Sequence, residues 1–253
     1  MRCLPLTFCV ALATTTSGCG GVLSLNSRPR ALDPGEVRIA FAQGVARSTR
    51  GDFVRSEPAP YGARATQWMT ELSGHYGITD RIDVGTRVRP LARGAKLEGM
   101  AQIFERNEAP VELGVAVGID GTHQQNETSG CDYDGGLCVK RRYWLLAADA
   151  RVVAARELWR TRSGVGSGTL FAAVGYSHLY VNGRETADYT HSTQPKIVVE
   201  KRTGLPGGLW TAGLELGFGR FRLVPQVDGF TIRMARGGAR MVVAPNVELA
   251  WEL

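Results

Sequence analysis

Downstream of the N-terminal region, no stretch of eighteen apolar residues occurs in the 253, so the mature chain lacks a transmembrane helix. Helical periodicity is also missing: no segment repeats its apolar residues at three and four over the length a helix needs. Lysine is scarce, with 4 Lys against 26 Arg and a formal charge of +6. No basic run with interleaved aromatics appears, nor any nucleic-acid motif, and nucleic acid is not an expected partner. The arginine bias fits genome composition. It also fits guanidinium forks that hold phosphate, including the head groups of an outer leaflet. Cysteine is limited to five residues and histidine to four. In contrast, glycine is abundant, at 32 residues, many inside strand-like runs where it is costly without a reason. Hydrophobic content of 43% and charged content of 21% place the chain among folded proteins.

The chain opens MRCLPLTFCVALATTTSGCGG. Arg2 supplies a positive start, residues 3–13 a short apolar core, and small residues lead to Cys19. This reads as a secretory signal over 1–18, too short to anchor as a helix. The ending Thr16-Ser17-Gly18-Cys19 resembles the lipobox of bacterial lipoproteins, with Thr16 where leucine is usual. That resemblance implies a lipidated Cys19, and Gly20 after it implies an outer-membrane address. Ordinary cleavage with Cys19 left as a spare thiol is the alternative. Residues 19–33 form the lipidated N-terminus and a linker, and the main domain covers 34–253.

Cys3 and Cys9 leave with the signal. Cys131 and Cys138 remain in CDYDGGLC, and an even pair in an exported chain reads as a disulfide stapling a polar loop. Asp132 and Asp134 have the opening spacing of a calcium loop, but Gly136 replaces the next ligand and no closing Glu follows. No metal or cofactor is expected.

Strand signals run from residue 36 to the C-terminus. In VELGVAVGID, Val111, Leu113, Val115, Val117 and Ile119 alternate with Glu112, Gly114, Ala116, Gly118 and Asp120. Period two marks a strand with one apolar face. Similar alternation appears near 36–44, 66–76, 82–90, 96–106, 142–152, 169–181, 209–219, 221–234 and 239–253, which makes ten strands. The segment 153–166 is ambiguous, and 182–208 is a long polar stretch with strand character at IVVE. Loops at 45–65, 121–140 and 182–208 fall on one side of such an array, and the short turns at 77–81, 107–110 and 220 on the other.

Those apolar faces could meet a soluble core or lipid. Trp68 to Tyr76 and Trp210 to Phe218 are each eight residues apart on one face. On a tilted strand that spacing covers roughly 20 Å, near the height of the band between aromatic girdles. The opposite faces carry Glu71, Arg87, Glu112, Asp149, Glu215, Asp228 and Glu248, which can pair across a narrow interior. No helix is available to cover an exposed sheet, and closure satisfies every edge. The expectation is an all-β fold: a single antiparallel up-and-down transmembrane β-barrel of about ten strands, within eight to twelve. A soluble periplasmic β-sandwich lipoprotein is the alternative.

The phrases ALDPGEVRIAFAQG, YGITDRIDVGTRV and GLELGFGRFRLVPQ resemble those of uncharacterised outer-membrane β-barrel proteins of Gram-negative bacteria, often described as lipoproteins. The chain departs from that class by ending Trp251-Glu252-Leu253 rather than on an aromatic residue. The resemblance implies outer-membrane lipid and lipopolysaccharide as surroundings, insertion by the barrel-assembly machinery, and an anchor at Cys19 on the periplasmic side. It carries no catalytic motif.

Among the histidines, His123 and His191 fall in expected loops. His75 shares a strand face with Glu71 and Ser73, a set that would suit acyl transfer. A spacing of two keeps these side chains at least about 6.5 Å apart along the strand, beyond hydrogen-bond reach. Ser177 and His178 point to opposite faces. The expected role is therefore structural, or binding through the outer loops. A narrow passive channel and a barrel-embedded lipid hydrolase are the alternatives.

Overall fold

The computed structural model describes residues 27–48, 66–104, 109–127, 137–163, 165–189, 197–233 and 239–253. Ten strands fill most of them: β1 (Val37–Ser48), β2 (Thr66–Thr79), β3 (Ile82–Arg89), β4 (Gly94–Phe104), β5 (Glu112–Glu127), β6 (Leu137–Arg160), β7 (Gly166–Tyr189), β8 (Ile197–Phe218), β9 (Phe221–Arg233) and β10 (Ala239–Glu252). Each strand is antiparallel to its neighbours, and β1 pairs with β10, so the sheet closes into a barrel. The all-β up-and-down architecture and the count of ten agree with the sequence expectation.

The closure has a definite stagger. The row of paired residues that starts at Arg38 passes through His75, Gly85, Glu98, Gly118, Asp149, Ser177, Gly207 and Ile232 to Arg240. Arg38 itself pairs with Glu252, twelve residues further along β10. A stagger of this kind tilts the strands by about 35–45° and leaves an interior that side chains can fill.

Alternation along the strands sorts the side chains. Leu97, Trp144 and Val174 stand outward with 64–69% of their surface exposed, while Arg87 and Asp83 point inward with 0–1% exposed. Exposed aromatics gather at two levels of the outer face. Trp68, Trp144 and Tyr180 lie towards the end carrying the long connections, and Tyr76, Phe218 and Trp251 towards the end carrying both termini.

Glycine finds its reason in close approach. Tyr143 pairs with Gly183, Phe171 with Gly213 and Trp210 with Gly229, and in each case the ring lies where a glycine Cβ would be. An aromatic ring laid over the bare backbone covers it without widening the wall. Gly219, with φ of +62°, allows the tight β8–β9 turn in a left-handed conformation that costs glycine little.

The structure differs from the sequence reading in the length of several strands: β1 runs on to Ser48, β5 to Glu127, and β6 begins at Leu137, all inside the loops expected at 45–65 and 121–140. The ambiguous 153–166 segment continues β6 to Arg160, and most of the polar 182–208 stretch is the facing arms of β7 and β8. Both arms are paired, from Asn182↔Arg202 to Ala187↔Ile197. Apart from Ile197-Val198-Val199 their residues are mostly polar on both faces, so the ladder continues without an alternating apolar face to announce it.

Candidate functional site

The lumen has three zones, beginning with the end that carries the termini. There Arg38 donates to Glu215 at 2.8 Å, Glu248 at 2.9 Å and Glu252 at 3.3 Å. Arg222 forms a second ion pair with Glu252. One level up, Arg87 donates to Glu98 at 2.7 Å, Glu71 at 3.1 Å and the second oxygen of Glu248 at 3.3 Å. Glu248 thus links the two guanidiniums. Lys96 pairs with Asp149 at 2.9 Å and lies 3.6 Å from Glu98, and Arg151 reaches Asp149 at 3.0 Å. Buried charges are costly unless paired and hydrogen-bonded, and here one connected network supplies both.

The second zone is the N-terminal segment, 27–33, which the sequence reading treats as linker. It enters the lumen. Arg28 donates to both oxygens of Asp83, at 2.9 and 2.5 Å, and the Leu32 backbone N–H donates to Asp83 at 2.9 Å. Ala31 N–H donates to Gln102 at 3.2 Å. Ser27 accepts from Arg151 at 2.9 Å and lies 3.3 Å from the Thr211 hydroxyl. Thr211 and Asn246 in turn each donate to Asp228 at 2.5 Å. Gly77 makes room for the segment, because a Cβ there would collide with the Asp33 carbonyl. The cavity beside the segment is lined by Ser27, Arg28, Arg87, Lys96, Asp149 and Arg151 and measures about 20 Å³, room for about one water.

The third zone is apolar. Towards the end with the long connections, Met69, Leu145, Leu179, Leu205, Phe230 and Ile232 form one buried cluster inside the barrel. Tyr143 and Val181 belong to it, with Val242 packed against it. Beside it Arg89 forms an ion pair with Asp120 and donates to Thr122 at 2.7 Å. Sequence reasoning placed charges in the lumen and missed this cap. Its residues sit in runs such as YWLLAA, where both faces are apolar and alternation gives no direction.

The sequence-nominated residues disperse. His75 is buried with its Nε2 3.4 Å from Glu98, and neither ring nitrogen has a hydrogen-bond partner among the described residues. Glu71 pairs with Arg87 rather than with His75. Neither Ser73 nor Ser177 hydrogen-bonds a histidine among the described residues. No nucleophile–base contact is present there. His123 lies in β5, not in a loop, with its ring 4.5 Å from that of Trp144. Among the described residues no group of three metal-capable side chains occurs. Cys19, Cys131 and the side chain of Cys138 lie outside the described residues, as do Asp132, Asp134 and His191.

At the far end, the arms outgrow the wall. The β7–β8 ladder reaches Ala187↔Ile197, but the β8–β9 ladder begins only at Gly207↔Ile232. The stretch 197–206 of β8 therefore has no strand on that side among the described residues.

No protein-family model matches the chain, and no curated protein does. Solved structures align with it at low identity. The attachment invasion locus protein Ail of Yersinia pestis is 11% identical, covering 87% of this chain and 99% of its own, with a TM-score of 0.38. Neisserial surface protein A is 10% identical, covering 86% and 96%, with a TM-score of 0.34. The Ralstonia pickettii toluene transporter TbuX is 6% identical, covering 87% and 90%, with a TM-score of 0.28.

Proposed function

We propose that the chain is an outer-membrane barrel with a filled lumen, and that its working part is the set of outer arms, a binding platform at the cell surface. An apolar outer face around a lower lumen of paired charges supports the membrane setting, since water would favour the reverse. The stretch 197–206 of β8, which has no strand on its β9 side among the described residues, is the observation that carries the platform reading. Free backbone donors and acceptors on an edge accept an extended segment from a partner by strand addition. Insertion through the barrel-assembly machinery, lipidation of Cys19 on the periplasmic side and a Cys131–Cys138 disulfide belong to the same proposal.

The first experiment is gel migration with and without boiling. A detergent-extracted barrel runs faster unboiled, and a mature domain that stays soluble without detergent would return the reading to a β-sandwich. Planar-bilayer recording should show no conductance steps; regular steps would favour the narrow channel. A photo-crosslinker in place of Val199, on that stretch of β8, should capture a defined partner on intact cells, whereas one at lipid-facing Val174 should not. The absence of any adduct specific to position 199 would leave the barrel but remove the platform.

A further inference from the structure

The outer face of the arms carries a group of exposed arginines. Arg142 of β6 stands directly opposite Arg184 of β7, and Arg202 of β8 stands opposite Asn182, one row nearer the barrel. All three are exposed, and none makes a hydrogen bond or ion pair with a described residue. Like charges directly opposite on a sheet repel. Glu200, the acidic residue opposite Arg184, is exposed and forms no ion pair with it. No described carboxylate is hydrogen-bonded to either guanidinium, so both can take an anion from outside the chain.

Position along the wall indicates what. Trp144 shares the Asn182 row, and Tyr180 lies in the row below, opposite Leu146. Both rings are exposed. Exposed Trp and Tyr mark the boundary between hydrocarbon and head groups. Arg142 and Arg184 lie two residues beyond Trp144 and Asn182, which on a tilted strand is about 5 Å further out. On the outer-membrane reading that is the level of lipid phosphates, not of acyl chains or free solution. A guanidinium fork matches phosphate oxygens two at a time, and the Asn182 amide between them adds a donor.

We propose that Arg142, Arg184 and Arg202, with Asn182, form a docking site for the phosphates of an anionic outer-leaflet glycolipid of the lipid A type. The site rests on the outer-membrane reading and adds to it a lipid bound in a fixed place at the base of the arms. An acidic protein segment is the competing occupant, and the test separates the two.

The full-length protein is purified in detergent, exchanged into nanodiscs containing bis-phosphorylated lipid A in phosphatidylcholine, and re-extracted. Native mass spectrometry then counts the retained lipid A. The variant R142Q/R184Q/R202Q should retain about tenfold less than the unaltered protein. A control, R156Q/R162Q, removes exposed guanidiniums at the opposite end and should stay within about twofold. Lipid A stripped of both phosphates should bind the unaltered protein as weakly as the triple variant binds the intact lipid. Equal retention by the triple variant, equal loss in the control, or equal binding of the stripped lipid would each overturn the site. So would displacement of the lipid by an acidic peptide at equal concentration. Gel migration of the same samples separates the failures. A heat-modifiable protein without the lipid sinks only the site, and a protein without heat-modifiability sinks the membrane reading with it.

Discussion

The two ends of the lumen are lined by the same alternating strands yet are held by opposite physics. Near the termini, Arg38, Arg87 and Lys96 and their carboxylates fill the interior through directional charged contacts. Towards the arms, Leu179, Leu205 and Phe230 fill it by apolar packing. The difference follows from what each end must accept. The lower end takes in a segment of backbone, and the N–H groups of Ala31 and Leu32 find acceptors in Gln102 and Asp83. The upper end takes in nothing among the described residues, so aliphatic side chains close it. Polarity inside a barrel is thus set by the contents of each level rather than by the class of fold.

Substitutions can break this contrast. The largest effect is expected from Glu248→Ala. It removes the carboxylate shared by Arg38 and Arg87 and leaves both buried charges short of a partner. A loss of about 3–5 kcal/mol is expected, read from urea unfolding of the refolded barrel by tryptophan fluorescence. A cost under about 1 kcal/mol would mean that water reaches the network. In the upper zone, Leu179→Ala creates a cavity in the apolar cluster and should cost about 2–4 kcal/mol in the same assay, with heat-modifiability kept. Arg28→Ala leaves Asp83 facing only the Leu32 N–H and should cost about 1–3 kcal/mol. It should also speed proteolysis ahead of residue 33, followed by mass spectrometry, since the segment loses its two-oxygen clamp. Gly183→Val places a side chain into the Tyr143 ring and should cost about 1–3 kcal/mol. The smallest effect belongs to Arg142→Gln, on the exposed arms. Without lipid it should change stability by less than about 0.5 kcal/mol, as expected where no described contact is lost.

These regions also differ in how far they could be read from residues alone. The outward face was legible: Val117 and Ile119 alternate with Gly118 and Asp120, and the structure turns the first pair out and the second pair in. The charged half of the lumen was legible for the same reason, since Glu71, Arg87, Glu215 and Glu248 interrupt apolar faces. The apolar cap was not. Leu145 and Leu179 sit beside outward Leu146 and Tyr180, and hydropathy alone does not say which of two apolar neighbours points in. The N-terminal segment was missed because SRPRALDP has no period. The signal that could have found it is Asp83, an inward acid near the lower end whose cationic partner comes from outside the strands. The arms were read only at IVVE, because the rest of their letters are mostly polar on both faces and show no contrast between them.

The Arg38 contacts have a further consequence for assembly. Arg38 belongs to the first strand, and two of its three carboxylates, Glu248 and Glu252, belong to the last. An intermediate halted before β10 would leave Arg38 with Glu215 alone and Arg87 with Glu98 and Glu71, each short of the Glu248 carboxylate. Meeting of the chain's two ends is therefore what completes the ionic network around those cations. A truncated product is disfavoured by its own electrostatics before any protease finds it.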